Sequence, residues 1–266
     1  MKIKQVLEAL ERFAPLPLQE SWDNAGLQIG LTEAEVSGVL LCLDVTEAII
    51  DEAVAKGCNL VVSHHPLLFR GLKQVSDATD VQRTVRKAIL GNVAVVSMHT
   101  NLDNARGGVN FKIAERLGLQ RVHFGLEPED SALSGLPAEK GQWVMGQLPQ
   151  PMDARAFIAH VKDRMEVKCA MCNELLRLPI SKVAICGGAG DFLLDEVIAQ
   201  GADAFITGEM HYHQYFGHEQ QLQICVIGHY ESEHFTAELL RDIILRDCPS
   251  VRCEITEINT NPILYL

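Results

Sequence analysis

The sequence lacks any long uninterrupted run of apolar residues, and no stretch approaches the roughly 20 that a membrane-spanning helix needs. Its N-terminal segment, MKIKQVLEALE, mixes charged and apolar residues at helical spacing, whereas a secretory signal peptide needs an unbroken apolar core. With 47% hydrophobic residues and a mean hydropathy of +0.07, the 266-residue chain has enough apolar material for one large or two medium domains. We therefore expect a soluble, cytoplasmic, globular protein.

Positive charge is also scarce. Lys and Arg number 23 against 35 Asp and Glu, which gives a net charge of −12. Surfaces that bind nucleic acids neutralise phosphates with clustered Lys and Arg, so this balance argues against a nucleic-acid partner. We instead expect a small-molecule substrate or a metal ion, and no membrane partner.

Motifs of covalent and nucleotide chemistry are missing. The sequence has no Gly-x-Ser-x-Gly elbow, and we predict neither a serine nor a cysteine nucleophile. The segment CGGAGD, residues 186–191, follows a predicted strand and opens a predicted helix, so its backbone N–H groups could bind a phosphate. It lacks the full dinucleotide fingerprint and the P-loop lysine. This favours a tight turn as its role, and we predict no organic cofactor.

The eight cysteines have no regular spacing. A chain of this length does not need disulfide bonds to stabilise its core, and we expect reduced thiols. Cys169 and Cys172 have the two-residue separation of redox and zinc motifs, but no second pair accompanies them. Metal and redox roles for this pair are therefore disfavoured.

Apolar segments alternate with amphipathic ones from residue 36 onward, which indicates right-handed crossovers and a largely parallel sheet. Residues 21–30 are too polar and glycine-rich for a regular element, and the role of Trp22 stays open. In the first half we predict helices at 2–13, 80–90 and 109–117, and a further helix that a cap at Asp44 or Thr46 begins and that ends at residue 55. We predict strands at 39–43, 60–64 and 93–98, and a loop at 100–108.

The composition turns polar between residues 118 and 140, and we place a domain boundary there. The first predicted domain covers residues 1–125 and the second covers 126–245, while a strand within 246–266 could return to pair with the first domain. In the second half we predict strands at 143–148, 182–186, 204–207 and 223–227, and helices after a cap at Asp153, at 192–200 and at 231–245.

The two halves repeat a pattern near the ends of predicted strands. IIDEAVAKGCN (49–59) aligns with LLDEVIAQGAD (193–203), and VSMH (96–99) aligns with VIGH (226–229), each histidine being followed four positions later by a carboxylate. Helix-stopping glycines recur in any α/β protein, so chance is one explanation and two related α/β domains are the other. If such domains face each other across a cleft, their strand ends would bring together a polar set: His64, His65, His99, Asp103, Glu209, His229 and Glu233.

Two adjacent histidines end one of these strands. NLVVSHHP (59–66) has the short aliphatic and β-branched run of a buried strand, and proline cannot donate into a sheet, so the strand should end at His64 and His65. Open α/β sheets bind their ligands at the carboxyl ends of strands. A pair of surface-loop histidines is the alternative.

Imidazoles and carboxylates without a thiolate suit Zn, Mn, Fe or Co. His229 and Glu233 share a face if they lie on one helix, and a carboxylate can bridge two ions held roughly 3.5 to 4 Å apart around an activated water. We therefore predict a dinuclear hydrolytic centre. Individually, His99 could be a satisfied buried histidine and Glu233 a solvated helix-start carboxylate. The histidine-rich segment 210–213, with His218, is interpreted as lining or surface.

Five ordered motifs together resemble the NGG-one-interacting-factor-three family, also known as GTP cyclohydrolase 1 type 2 homologs: SWDNAGLQIG (21–30), SHHP (63–66), HTNLD (99–103), TGE (207–209) and GHYESE (228–233). The resemblance covers essentially the whole chain. It implies a two-domain α/β protein, with mostly parallel sheets and a dinuclear metal site between the domains, assembled into a ring-shaped hexamer. The short stretch between the halves resembles the family's form without an inserted middle domain.

The resemblance also assigns metal ligands, at the positions that match His64, His65, Asp103, His229 and Glu233, with the last carboxylate bridging. We therefore hypothesise a metal-dependent hydrolase of a small polar substrate, a nucleotide or a cyclic amide, in which an activated water attacks and His99 or Glu209 moves a proton. The alternative is a non-catalytic metal-binding adaptor that acts through protein partners.

Overall fold

The computed structural model describes residues 1–126 and 140–266, which form two compact units. The first unit comprises Met1–Ala105 and His234–Leu264, and the second comprises Arg106–Glu233 and Tyr265–Leu266. The chain thus passes from one unit to the other at Ala105, earlier than the predicted boundary at 125. Residues 127–139 of the polar segment lie outside the described residues, and the predicted domain limits stay a prediction.

The helices and strands are as follows. The helices are α1 (Ile3–Phe13), α2 (Glu47–Ala55), α3 (Asp80–Leu90), α4 (Thr100–Asp103), α5 (Val109–Arg116), α6 (Ala154–Arg164), α7 (Leu194–Ala199), α8 (His229–Glu233) and α9 (Thr236–Asp247). The strands are β1 (Gly26–Ile29), β2 (Val39–Cys42), β3 (Leu60–Ser63), β4 (Ala94–Ser97), β5 (Gln120–Phe124), β6 (Val144–Met152), β7 (Met171–Cys172), β8 (Ile180–Ala189), β9 (Ala204–Glu209), β10 (Gln223–Val226) and β11 (Cys253–Ile255).

The first unit contains a five-stranded sheet in the order β1-β4-β3-β2-β11. Strands β4, β3, β2 and β11 run parallel, and β1 pairs antiparallel with β4 at one edge. Every residue of β2, β3 and β4 is buried, as expected for parallel strands covered on both faces. The predicted return of the C-terminal segment to this sheet corresponds to β11.

Side-chain caps fix where the helices of the first unit begin. The hydroxyl of Thr46 accepts a hydrogen bond from the N–H of Ile49 and caps α2, and Thr79 caps α3 in the same way. Of the two predicted caps for α2, the structure therefore uses Thr46. Asp44 instead contacts a histidine of the candidate site.

The second unit contains a six-stranded sheet in the order β5-β6-β8-β9-β10-β7. Its central strands β8, β9 and β10 are parallel, whereas β5, β6 and β7 join by antiparallel pairs. The core on this sheet includes Trp143 and Phe205. The predicted α/β class with mostly parallel pairing is confirmed, and both sheets are mixed because antiparallel strands flank the parallel ones.

The two sheets repeat one arrangement, as the sequence pattern indicates. In each, three adjacent parallel strands follow in chain order, β2-β3-β4 and β8-β9-β10, and an antiparallel strand lies beside the last of them. The backbone register corrects one detail. Met98 N–H donates to Ser63 as Ile227 N–H donates to Thr207, so His99 corresponds to Gly228 and the aligned histidines are one residue out of step.

Several elements differ from the sequence prediction. Residues 21–30 contain the edge strand β1, the predicted loop at 100–108 begins with α4, and the predicted helix at 231–245 is divided into α8 and α9. The short strands β5 and β7 are additional. Within residues 1–126 and 140–266, none of the helices is long and apolar enough to cross a bilayer.

Candidate metal centre

His64 and His65 directly follow β3 and continue its pairing with β2. The N–H of His64 donates to Cys42 O at 3.3 Å, and the N–H of His65 donates to Leu43 O at 3.0 Å. The buried hydroxyl of Ser63 donates to His65 O at 2.8 Å. The backbone of both histidines is therefore fixed by the sheet and by a serine beside it.

The ring of His64 is fully buried and oriented by a carbonyl. Its Nδ1 lies 2.8 Å from Met98 O, and because a carbonyl can only accept, this nitrogen carries the hydrogen. In the neutral ring the lone pair is then on Nε2, which lies 3.6 Å from Asp103 Oδ1. The tautomer that results is the one that binds a metal through Nε2.

Carboxylates orient the other two histidines of the first unit. His65 Nδ1 lies 2.7 Å from Asp44 Oδ1, and His99 Nδ1 lies 2.7 Å from Asp23 Oδ1. A carboxylate behind the imidazole fixes the ring orientation and raises its basicity as a ligand. Asp44 thus orients the ring of His65 and Asp23 orients the ring of His99, as the Met98 carbonyl orients the ring of His64.

Asp23 is held by several donors. Its Oδ2 accepts hydrogen bonds from the N–H of Thr100 at 3.0 Å and from the Thr100 hydroxyl. Burial by itself would raise the pKa of the Asp23 carboxyl, but the hydrogen bonds from His99 and Thr100 outweigh burial and lower the pKa to about 2. Asp23 is therefore ionised throughout the pH range in which histidine acts as a ligand.

His64, His65 and His99 form a group that could hold a metal ion. One potential ligand nitrogen from each lies within 4.8 Å of the others, and the ring centroids are 4.9 to 5.4 Å apart. His64 is buried, whereas His65 and His99 are partly exposed. Three imidazoles suit Zn, Mn, Fe or Co. The structure thus groups His99, predicted as a proton carrier, with two predicted ligands.

The second unit contains its own group at the ends of β9 and β10. Glu209 Oε1 lies 2.7 Å from His229 Nδ1, and His229 Nε2 lies 3.2 Å from Glu233 Oε2 on the same short helix. Glu233 is buried, with 4% of its surface exposed. Glu209, which the sequence analysis gives as a proton carrier, therefore contacts Nδ1 of His229 as Asp23 contacts Nδ1 of His99.

Gly188 makes room for the carboxylate of Glu233. Its φ is +63°, and a Cβ built there would lie 2.5 Å from Glu233 Oε1. The N–H of Gly188 donates to Ser232 Oγ at 2.9 Å, and that of Gly187 donates to Asn110 Oδ1 at 2.8 Å. Because side chains occupy these N–H groups, the glycine segment packs against α8 rather than presenting them to a phosphate.

The histidine-rich segment 210–213 lies at the surface. Tyr212 is 72% exposed, and His211 pairs with Asp191. The sequence prediction missed two carboxylates that orient histidines of the candidate site, Asp23 and Asp44. The motif SWDN signalled Asp23, but no local pattern marked Asp44.

The fold and these groups define an α/β protein with two sheets, in which histidine and carboxylate side chains suited to a metal ion follow the parallel strands of each sheet. A family model for Duf34/NIF3 (NGG1p interacting factor 3) matches residues 1–262, and the chain belongs to this family.

Two curated relatives and one solved structure are similar to this chain over most or all of its length. A "GTP cyclohydrolase 1 type 2 homolog" from Clostridium acetobutylicum is 32% identical over 236 residues, covering 88% of this chain and 85% of that protein. The homolog from Campylobacter jejuni is 30% identical over 267 residues and covers both chains completely, as expected for the form without an inserted domain. The crystal structure of Staphylococcus aureus protein SA1388 superposes with a TM-score of 0.89 at 27% identity, covering 100% of this chain and 99% of that one.

Proposed function

We propose that this protein is a dinuclear metal-dependent hydrolase of a small polar substrate. The observation that carries the proposal is the group formed by His64, His65 and His99, in which potential ligand nitrogens approach within 4.8 Å. Each ring is also held through its Nδ1 by an acceptor of the same unit. A set oriented in this way is expected of a metal site rather than of unrelated buried histidines.

We propose five ligands for two divalent ions: His64, His65, Asp103, His229 and Glu233. The buried carboxylate of Glu233 supports a bridging role, because a carboxylate with two oxygens can serve two ions and a buried one needs cationic partners. Zn, Mn, Fe and Co all fit a donor set of imidazole and carboxylate without thiolate.

When bound, the ions would supply Lewis-acid chemistry and activate a water for attack on the substrate. The chain's own residues orient the donors. Glu209 holds the ring of His229 through Nδ1, which supports a positioning role for Glu209. His99 is held in the same way by Asp23, and its position among the three histidines supports either a further ligand or the group that moves a proton.

The names of relatives support the proposed substrate class. Relatives of this chain are named GTP cyclohydrolase 1 type 2 homologs, which is compatible with a nucleotide or a cyclic amide. Assembly into a ring-shaped hexamer and a cytoplasmic location are further parts of the proposal. Light scattering of the purified chain measures the first, and a hexameric mass is expected.

The test combines metal content with turnover. Protein loaded with Zn, Mn, Fe or Co is analysed for bound metal and screened against nucleotides and cyclic amides with and without a chelator. Glu233→Gln should lose metal and turnover together. The matched control is Glu115→Gln, since the Glu115 side chain is 72% exposed and pairs only at the surface with Lys112. Full activity of metal-free protein would contradict the proposal.

The second candidate is a non-catalytic metal-binding adaptor. The family description, NGG1p interacting factor 3, names a protein interaction and favours this alternative. The same screen separates the two functions. Turnover that a chelator abolishes supports the hydrolase, whereas stoichiometric metal with no turnover on any substrate class supports the adaptor.

A further inference from the structure

Two large aromatic side chains lie exposed beside His99, one of the three histidines of the first unit. Trp22 is 58% exposed and Phe69 is 47% exposed. Their ring centroids are 5.8 Å apart, and the His99 ring lies 6.0 Å from Trp22 and 6.5 Å from Phe69. The aromatic pair is therefore continuous with the group that could hold a metal.

The loops that carry the two rings are joined by hydrogen bonds. Asn24 Nδ2 donates to Leu68 O at 2.7 Å, and the N–H of Leu68 donates to Gln28 Oε1 at 3.0 Å. Gln28 Nε2 in turn donates to Asn24 O at 2.6 Å. Polar side chains thus fix Asn24, two residues after Trp22, to Leu68, the residue before Phe69.

The same segment also holds His99. Asp23, between Trp22 and Asn24, accepts from His99 Nδ1 and from the N–H of Thr100. Three consecutive residues therefore present an aromatic ring, orient a histidine and fix the loop of the second ring. This accounts for the polarity of residues 21–24, which neither the core nor the proposed metal ligands explain.

We propose that Trp22 and Phe69 form a stacking site for a planar heteroaromatic ring of the substrate, next to the histidines. Leaving two large aromatic side chains in water forgoes the free energy of their burial, and a planar ring stacked on them recovers part of it. Stacking on an aromatic side chain accepts any base, because every base has a π-face. The inference rests on the proposed function and narrows its substrate to a ring-containing molecule, such as a purine.

A protein partner fits this pair less well. Stable protein interfaces bury about 800 Å² on each side, far more than two side chains provide. A second copy of the chain could nevertheless cover the pair, and the experiment below treats that as an outcome which overturns the proposal.

Tryptophan fluorescence tests the stacking site directly. The chain has two tryptophans, and Trp143 is buried, with 2% of its surface exposed, so the exposed Trp22 should carry the response to a stacked ligand. The full-length protein, with and without Mn, is titrated with guanosine as the planar probe and with ribose as the probe without a ring. Saturable quenching by guanosine and none by ribose is the expected result.

Variants locate the binding. Trp22→Leu keeps an apolar side chain without the ring. Its affinity for guanosine, measured by calorimetry, should fall at least about fivefold, the lower end of the loss for one stacked base. Phe69→Leu should weaken binding by a smaller factor. Phe192→Leu is the matched control, because Phe192 is an exposed aromatic of the second unit, and its affinity should equal that of the unchanged protein.

The outcomes separate this inference from the proposed function. Equal guanosine affinity in the unchanged protein and Trp22→Leu overturns the stacking site, and bound metal in the same sample leaves the metal centre standing. Guanosine binding by a protein that takes up no metal when it is loaded with Mn supports the stacking site and contradicts the hydrolase. A Trp22 emission that shifts to the red on dilution, without ligand, overturns the proposal in favour of a second copy.

Discussion

Replacing Gly188 by alanine tests how the second unit positions Glu233. At φ +63° a non-glycine residue costs roughly 1–2 kcal/mol. The added Cβ would also lie 2.5 Å from Glu233 Oε1, and Glu233 is buried, so the carboxylate must move. Overpacking of this kind costs about 1–3 kcal/mol more. We expect Gly188→Ala to lower the free energy of unfolding by about 2–5 kcal/mol and to reduce bound metal.

Gly201→Ala is the matched control for the backbone effect. Gly201 has a φ of +71°, and a Cβ there would meet nothing within 4 Å, so this variant carries only the conformational cost of roughly 1–2 kcal/mol. Urea denaturation measures both variants, and elemental analysis measures their metal content. If the two variants bind the same amount of metal, the reasoning that Gly188 exists to admit the Glu233 carboxylate is refuted.

Three further predictions concern charge, thiols and capping. The folded-state pKa of Asp23 is lowered to about 2 from an ordinary 3.8, so the ionised carboxylate stabilises the fold above about pH 4 and this stabilisation is lost as the pH falls towards 2. Asp23→Asn should therefore lower the free energy of unfolding of the metal-free protein by about 1–2 kcal/mol at pH 7. Urea titrations should show that this difference becomes smaller in acid. Cys169 is exposed and should react with a thiol reagent faster than Cys253, whose pKa burial raises to about 11. Equal rates for these two thiols would contradict the burial pattern. Asp153 accepts from the N–H of Ala156 at 2.9 Å, and Asp153→Ala should therefore lower the free energy of unfolding by about 1 kcal/mol, seen as a lower urea midpoint.

The elements that the sequence predicts well are those that local physics determines. The buried strands β2, β3 and β4 are continuous apolar runs, and caps such as Thr46 act within one helical turn. The strands β1, β5 and β7 were missed because they lie at sheet edges and are largely not buried, so no continuous apolar run marks them. The divided helix at 231–245 was missed for a related reason, since its two parts belong to different units and no Pro or Gly marks the division.

The candidate site shows the same limit. His64, His65 and His99 were predicted because each follows an apolar run, and strand ends of a parallel sheet meet at one edge. The acceptors behind them could not be predicted, because Asp23 lies 76 positions from His99 and nothing in its neighbourhood specifies that contact. Glu209 was found in sequence but given a proton-transfer role, and only its contact with His229 Nδ1 indicates that it orients a ring.

His64, His65, His99 and His229 are oriented by the same kind of contact, and this contact affects how a metal would bind. In each, Nδ1 faces an acceptor from its own unit, namely Met98 O, Asp44, Asp23 or Glu209. Each ring is therefore oriented, with Nε2 as its remaining nitrogen, by the folding of the unit that carries it. The entropy of ordering these side chains is lost on folding, so a metal ion would bind donors that are already oriented. Affinity should then depend on the acceptors nearly as much as on the ligands themselves, because removing an acceptor frees a ring without removing its nitrogen.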